Sequence, residues 1–283
     1  MAALISNARA EPELGDTGYE MDVRVRKITL DQPTPQSAEC SVMIQQFEDL
    51  LKRMAIEYKV GSGPLDIEKA KDEVLLKTFS QAMRSINKSF WFHALVAEIH
   101  LLFDKGTFGL APPSDIPPGR KALTTKWVFD MKRDIKGSII KFKARWVARG
   151  DLQKKGIDYR ETFAPVISFP VILTIAVKYD LEIGQLDIIS AILNGPIDTI
   201  VYLRQPDGFA LDTRVCILHK SIYGLCQAAK SSYDFLGIAF EAFGFKSITH
   251  DGALWYKAHA YPIPANPTPD SQIDGCYACI GTC

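Results

Sequence analysis

Two runs of alternating apolar and polar residues, about 122 to 133 and 138 to 149, flank the turn tetrapeptide Asp134-Ile135-Lys136-Gly137. That pattern admits little besides a β-hairpin. In the second run Ile140, Phe142, Ala144, Trp146 and Ala148 fall on one face, while Lys141, Lys143, Arg145 and Arg149 fall on the other, because successive strand side chains point to opposite sides. The expected object is a basic ladder backed by an apolar face. A merely solvated hairpin face is the competing reading.

Charge sharpens that expectation. The 283 residues carry 33 basic and 33 acidic side chains, a formal net charge of zero, but residues 119 to 160 hold thirteen basic and four acidic ones whereas residues 1 to 65 hold seven and ten. Screening confines a field to about 8–10 Å, so a partner meets the local excess and not the total. Segment 119 to 160 is therefore the place to expect a polyanion. With 47% hydrophobic and 23% charged residues, the chain has the profile of a water-soluble globular protein, with room for one large domain or two modest ones. The longest clear apolar run, Val171 to Val177, falls far short of the roughly 18 residues a spanning helix needs. The opening Met-Ala-Ala-Leu-Ile breaks into Asn7, Arg9, Glu11 and Glu13, too early for a secretory signal. An intracellular protein is expected, with cytoplasm or nucleus left open and no membrane partner.

Residues 1 to 65 read as an acidic leader, loop or disordered through the first 40, with a helix near 42 to 60 carrying Met43, Phe47, Leu50, Leu51, Met54 and Tyr58. From 66 to 256 strands and helices mix in an α+β pattern. Trp91, Leu95, Ile99 and Leu102 form one face of a helix that Gly106 ends. Ser168 and Pro170 start a helix through Tyr179, Gln185 to Ile189 reads as a strand, Val201–Leu203 and Val215–Leu218 as further strands, and residues 227 to 243 as a helix. Asp187 stands inside the apolar run of its strand, where a buried carboxylate must be paired, protonated or metal-bound. A solvated or salt-bridged strand-end Asp is the alternative. The Pro- and Cys-rich tail, 257 to 283, reads as unstructured. Its Cys276-x-x-Cys279 spacing could supply half a zinc site, but no second pair lies nearby.

The order of short motifs is more specific than any one of them. Trp91-x-x-Ala94-x-x-x-Glu98 and Gly106-Thr107-Phe108 are followed by Lys126-Trp127-Val128-Phe129, the run from Lys143 to Gly150, and the run from Asp158 to Val166. Gln185-Leu186-Asp187, Leu193-Asn194-Gly195, the run from Val201 to Phe209 and the run from Ser221 to Ala228 complete the series. Over about residues 78 to 256 this resembles the reverse transcriptase domain of copia-type LTR retrotransposon Pol polyproteins. The resemblance implies an RNA-directed DNA polymerase, a nucleotidyltransferase of right-hand shape, with fingers and a ferredoxin-like palm. Its partners would be an RNA or DNA template-primer and deoxynucleoside triphosphates. The cofactor would be Mg²⁺ or Mn²⁺, two cations about 3.5–4 Å apart held by carboxylates. Asp187 matches the first catalytic, metal-holding carboxylate. Lys143 and Arg145, with Lys141 and Arg149, match the basic fingers strand that closes over the triphosphate, and Gln227 matches a polar residue contacting nucleotide and template. Gly208 and Gly224 read as turn residues, placed for backbone freedom and not for chemistry.

Departures from the family set a second expectation. The hairpin bearing Tyr-x-Asp-Asp should follow Leu254-Trp255-Tyr256, but no Asp-Asp pair occurs in the chain, and Asp270 and Asp274 lie in a Pro- and Gly-containing context without a strand pattern. Ile192 stands where an aromatic residue is expected, and Ala229-Lys230-Ser231-Ser232 replaces the usual Pro-Arg-x-Trp. Without thumb, RNase H domain or second carboxylate motif, the expectation is a truncated copy with an incomplete palm and an incomplete Mg²⁺ site at Asp187, inactive as it stands. The alternative is a non-catalytic nucleic-acid-binding remnant that uses the basic hairpin.

Overall fold

The computed structural model describes residues 2–6, 38–61, 65–74, 76–164, 169–178, 182–186, 188, 190–248, 251–258 and 276–281. Its elements are β1 (Ala2–Ser6), α1 (Ala38–Glu57), α2 (Phe79–Arg84), α3 (Lys88–Asp104), β2 (Phe108–Ala111), β3 (Thr125–Arg133), β4 (Ile139–Ala148) and α4 (Phe169–Lys178). They continue with β5 (Glu182–Leu186), β6 (Tyr202–Leu203), β7 (Val215–Leu218), α5 (Ala228–Ala242), β8 (Lys246–Ile248), β9 (Asp251–Ala258) and β10 (Cys276–Gly281). This is a mixed α+β chain, divided into a unit of residues 35–163 and 190–235 and a unit of residues 1–34, 164–189 and 236–283.

The first of these units is built on α3. Trp91, Leu95, Ile99 and Leu102 are all fully buried along one stripe of the helix, as their spacing dictates. The helix ends where Gly106 adopts φ 59°, which lets the Gly106 and Thr107 N–H groups turn back onto the Phe103 and Leu102 carbonyls. Before it, α2 starts with a capping box in which Thr78 and Gln81 exchange hydrogen bonds. Glu73 Oε1 then accepts from Trp91 Nε1 at 2.7 Å and Asn87 Nδ2 at 2.9 Å, pinning the segment before α2 to the start of α3. The leader helix α1 buries Met43, Phe47, Leu51 and Met54 in the same core, with the Phe47 and Phe103 rings 4.9 Å apart.

The hairpin forms as two antiparallel strands with Trp127 opposite Trp146, Asp130 opposite Lys143 and Lys132 opposite Lys141. Its turn is closed by Asp134 Oδ1, which accepts the Lys136 and Ser138 N–H groups, and by Gly137 at φ 85°. Phe142, Ala144, Trp146 and Ala148 are buried against α3. Ile140 is not: it is 55% exposed, because Phe142 already packs on Phe90 and Trp91 near the start of α3 and the hairpin overhangs the helix beyond that point. A three-stranded antiparallel sheet, in the order β2-β7-β6, completes this unit.

In the other unit five antiparallel strands run in the order β5-β1-β10-β9-β8. Two of them depart from the expectation of unstructured ends. Ala2–Ser6 pairs with β5 and β10, and Cys276–Gly281 from the Pro- and Cys-rich tail lies between β1 and β9, with Cys279 in register with Leu4 on one side and Trp255 on the other. Backbone groups that flank a sheet find partners there whatever their local composition. Phe240 and Trp255 form a small separate core with Leu236 and Phe245. The predicted helix after Ser168 appears as α4. The predicted strand at 185 to 189 appears earlier, as β5, and Asp187 lies outside the described residues.

Candidate nucleic-acid interface

Alternation in β4 places Lys141, Lys143 and Arg145 on one face, opposite the side buried on α3. Register brings β3 residues Asp130 and Lys132 across from them. Asp130 forms an ion pair with Lys132 at 2.8 Å, so one carboxylate sits within the ladder. Burial first, and then the neighbouring Arg145 charge, pull the Lys143 ammonium below its ordinary value. That is the signature of cations crowded on a partly desolvated surface, where an anion would be welcome.

Arg149 behaves differently from its expected place in the ladder. It follows the end of β4, and its guanidinium grips the Asp151 carboxylate through Nε at 2.8 Å and Nη2 at 2.6 Å. The hydrogen bonding holds the arginine up and the aspartate below the usual carboxylate range. The pair is bidentate and neutral overall.

Gln227 is 1% exposed, and both ends of its amide are occupied. Its Nε2 donates to the Asp158 carbonyl at 3.1 Å and its Oε1 accepts from Gln153 Nε2 at 3.1 Å. Gln153 Oε1 in turn accepts the Cys226 N–H at 2.7 Å, and Thr199 Oγ1 donates to the same Asp158 carbonyl at 2.7 Å. The residue expected at the nucleotide is a buried clamp on loop 153–158. Its matching position in a motif carried no signal of burial.

One residue that contacts the ladder strand lies inside the helix motif Trp91-x-x-Ala94-x-x-x-Glu98. Glu98 is 6% exposed, and its Oε1 accepts the Trp146 N–H on the edge of β4 at 3.2 Å. Burial pushes the carboxyl above its ordinary value, while the Trp146 hydrogen bond, Arg145 and Lys143 pull it back. Its helical spacing, seven residues after Trp91 and three after Leu95, was the available clue. Beside it, Arg145 Cζ lies 5.6 Å from the Tyr223 ring centroid.

Among the departures from the family pattern, Ile192 packs partly buried on the core. Ser231 and Ser232 are buried, and an ideal Cβ at Gly195 would lie 2.7 Å from the Ser231 carbonyl carbon. Gly195 carries no side chain here because its backbone passes directly over that of Ser231 and Ser232 in α5. Among the described residues no group of three or more His, Cys, Asp or Glu could hold a metal ion, and no helix is long and apolar enough to cross a membrane.

Residues 113–261 match the family described as "Reverse transcriptase (RNA-dependent DNA polymerase)". The chain is 36% identical over 192 residues to the Retrovirus-related Pol polyprotein from transposon TNT 1-94 of Nicotiana tabacum, covering 64% of this chain and 14% of that protein. It is 37% identical over 180 residues to the corresponding polyprotein of transposon RE2 of Arabidopsis thaliana, covering 62% of this chain and 12% of the relative. The RE1 polyprotein of the same plant is 36% identical over 181 residues, again covering 62% and 12%. This chain thus spans about an eighth of the length of these curated relatives. No solved structure matches it. The family match extends over more than half of the chain and contains the whole basic hairpin, and the chain belongs to the reverse transcriptases of copia-type retrotransposon Pol polyproteins.

Proposed function

We propose that these 283 residues carry the fingers and part of the palm of a right-hand polymerase, and that the β4 ladder meets the phosphates of template-primer and incoming nucleotide. The observation that supports this is the row Lys141, Lys143 and Arg145 at alternate positions of a strand whose other face is sealed in the core. Alternate strand positions are about 6.8 Å apart, so the cations form a fixed series instead of a mobile cluster, and a fixed series discriminates a chain of phosphates from isolated anions. Lys143 and Arg145 take the triphosphate, with Lys141 beside them. Gln227 acts from inside by holding loop 153–158.

Asp187 is proposed as a ligand of the Mg²⁺ or Mn²⁺ that, when bound, supplies the charge for activating a primer 3′-oxygen. The chain contains no Asp-Asp pair, so phosphate binding without polymerisation is the activity proposed for these residues on their own. Primer extension on an RNA template, with Mg²⁺ or Mn²⁺, tests both parts at once. The expected result is a retained template-primer complex and no extended product. Extension that Asp187→Asn abolishes would overturn the non-polymerising reading, and absence of any complex would overturn the ladder's role.

A further inference from the structure

Tyr223 is delivered to the ladder by backbone that has little freedom. Its carbonyl accepts the Ala148 N–H at 2.9 Å. The next residue, Gly224, has φ 88° and approaches β4 so closely that a Cβ would lie 2.3 Å from the Ala148 carbonyl oxygen. From that anchor the ring reaches Arg145, whose Cζ is 5.6 Å from the ring centroid, within the roughly 6 Å range of a cation–π contact. Burial raises the phenol above its ordinary value, while the Arg145 and Ser190 side chains beside its hydroxyl pull it back. Ser190 has φ 54°, a left-handed conformation costly for any residue with a β-carbon, and it stands three positions after Asp187. The Arg145 Nε is buried and has no partner among the described residues.

We infer that Tyr223 is a positioning residue for phosphate recognition. Its ring and hydroxyl hold the Arg145 guanidinium in one orientation, leaving hydrogen-bonding capacity for a phosphate. An arginine held in advance loses less freedom on binding than a mobile one. The inference rests on the reading of the ladder as a phosphate-binding surface.

The test uses the full chain and a fluorescent DNA primer annealed to an RNA template, with affinity measured across a salt series for the wild type, Arg145→Ala, Tyr223→Phe and the double variant. Arg145→Ala should weaken binding and lower the steepness of log affinity against log salt by about one. Tyr223→Phe should weaken binding about three- to tenfold, because the hydroxyl that helps orient the guanidinium is lost, with a similarly reduced slope. The double variant should bind no more weakly than Arg145→Ala alone, because two residues acting through one guanidinium are not additive. Additive losses, or Tyr223→Phe binding like the wild type, would overturn the inference. Wild-type binding by Arg145→Ala would instead overturn the ladder reading beneath it. Should Tyr223→Phe fail to fold, Ser190→Ala replaces it, with a smaller loss of the same sign expected and no loss counting against the inference.

Discussion

Gly150 and Gly224 cross so closely that a β-carbon on Gly150 would lie 2.1 Å from the Gly224 carbonyl oxygen. Two backbone segments, the end of β4 and the turn before α5, touch without side chains between them. Gly224 also holds φ 88°. Gly150→Ala should cost about 1–3 kcal/mol through overpacking. Gly224→Ala should cost more, since a left-handed penalty of about 1–2 kcal/mol adds to its own clash. Urea unfolding of both variants measures this, and equal, near-zero losses would contradict the crossing.

Gln227 gives a second expectation. Replacing it with Ala leaves the Gln153 amide short of a partner in a buried place, at a cost of about 1–3 kcal/mol. Gln227→Glu should be worse than Ala's loss of contact alone suggests, because the donor to the Asp158 carbonyl disappears and a charge is buried. Hydrogen exchange should quicken in residues 153–158 in both variants. Unchanged protection there would remove the clamp role.

Glu98 sets a pH dependence. Its carboxyl is raised above the ordinary 4.5, chiefly by burial, so between that value and the raised one the folded state holds the proton more than the unfolded chain does. Stability from this group therefore falls as pH rises through that interval, and the cost of the buried charge is complete above it. Glu98→Gln keeps an acceptor for the Trp146 N–H. It should be at least as stable as the wild type at pH 7, with the difference shrinking as pH drops toward 4.5. A variant that is less stable at pH 7 than at pH 4.5, relative to the wild type, would contradict this sign.

The legible parts of the molecule were those where periodicity and burial agree. Trp91, Leu95, Ile99 and Leu102 repeat on one stripe, and the alternation of β4 separates charge from core without reference to distant residues. Exceptions arose where tertiary context decides. Ile140 keeps the apolar parity of Phe142 but overhangs α3. Arg149 keeps the parity of Arg145 but leaves the strand and finds Asp151. Gln227 shares the burial of most of its motif, Ser221, Ile222, Leu225 and Ala228, and its amide faces inward. The pairing of Ala2–Ser6 with Cys276–Gly281 joins opposite ends of the chain, and strand propensity depends too much on neighbours for such a partnership to be written locally.

The ladder carries its own restraint. Asp130 lies opposite Lys143 and binds Lys132, so Asp130→Asn should free one cation and tighten template-primer binding about two- to fivefold at low salt, the scale of an exposed ion pair. Arg149→Ala should change binding much less, since Asp151 already satisfies that guanidinium. Fluorescence anisotropy separates the two, and a larger effect at Arg149 than at Lys143 would reverse the assignment.

The most direct measurement compares the salt dependence of template-primer binding by the wild-type chain and by a Lys141→Ala, Lys143→Ala, Arg145→Ala triple variant. If three ladder cations each neutralise a phosphate, the steepness of log affinity against log salt should fall by about three in the variant. An identical slope in both proteins would contradict the account.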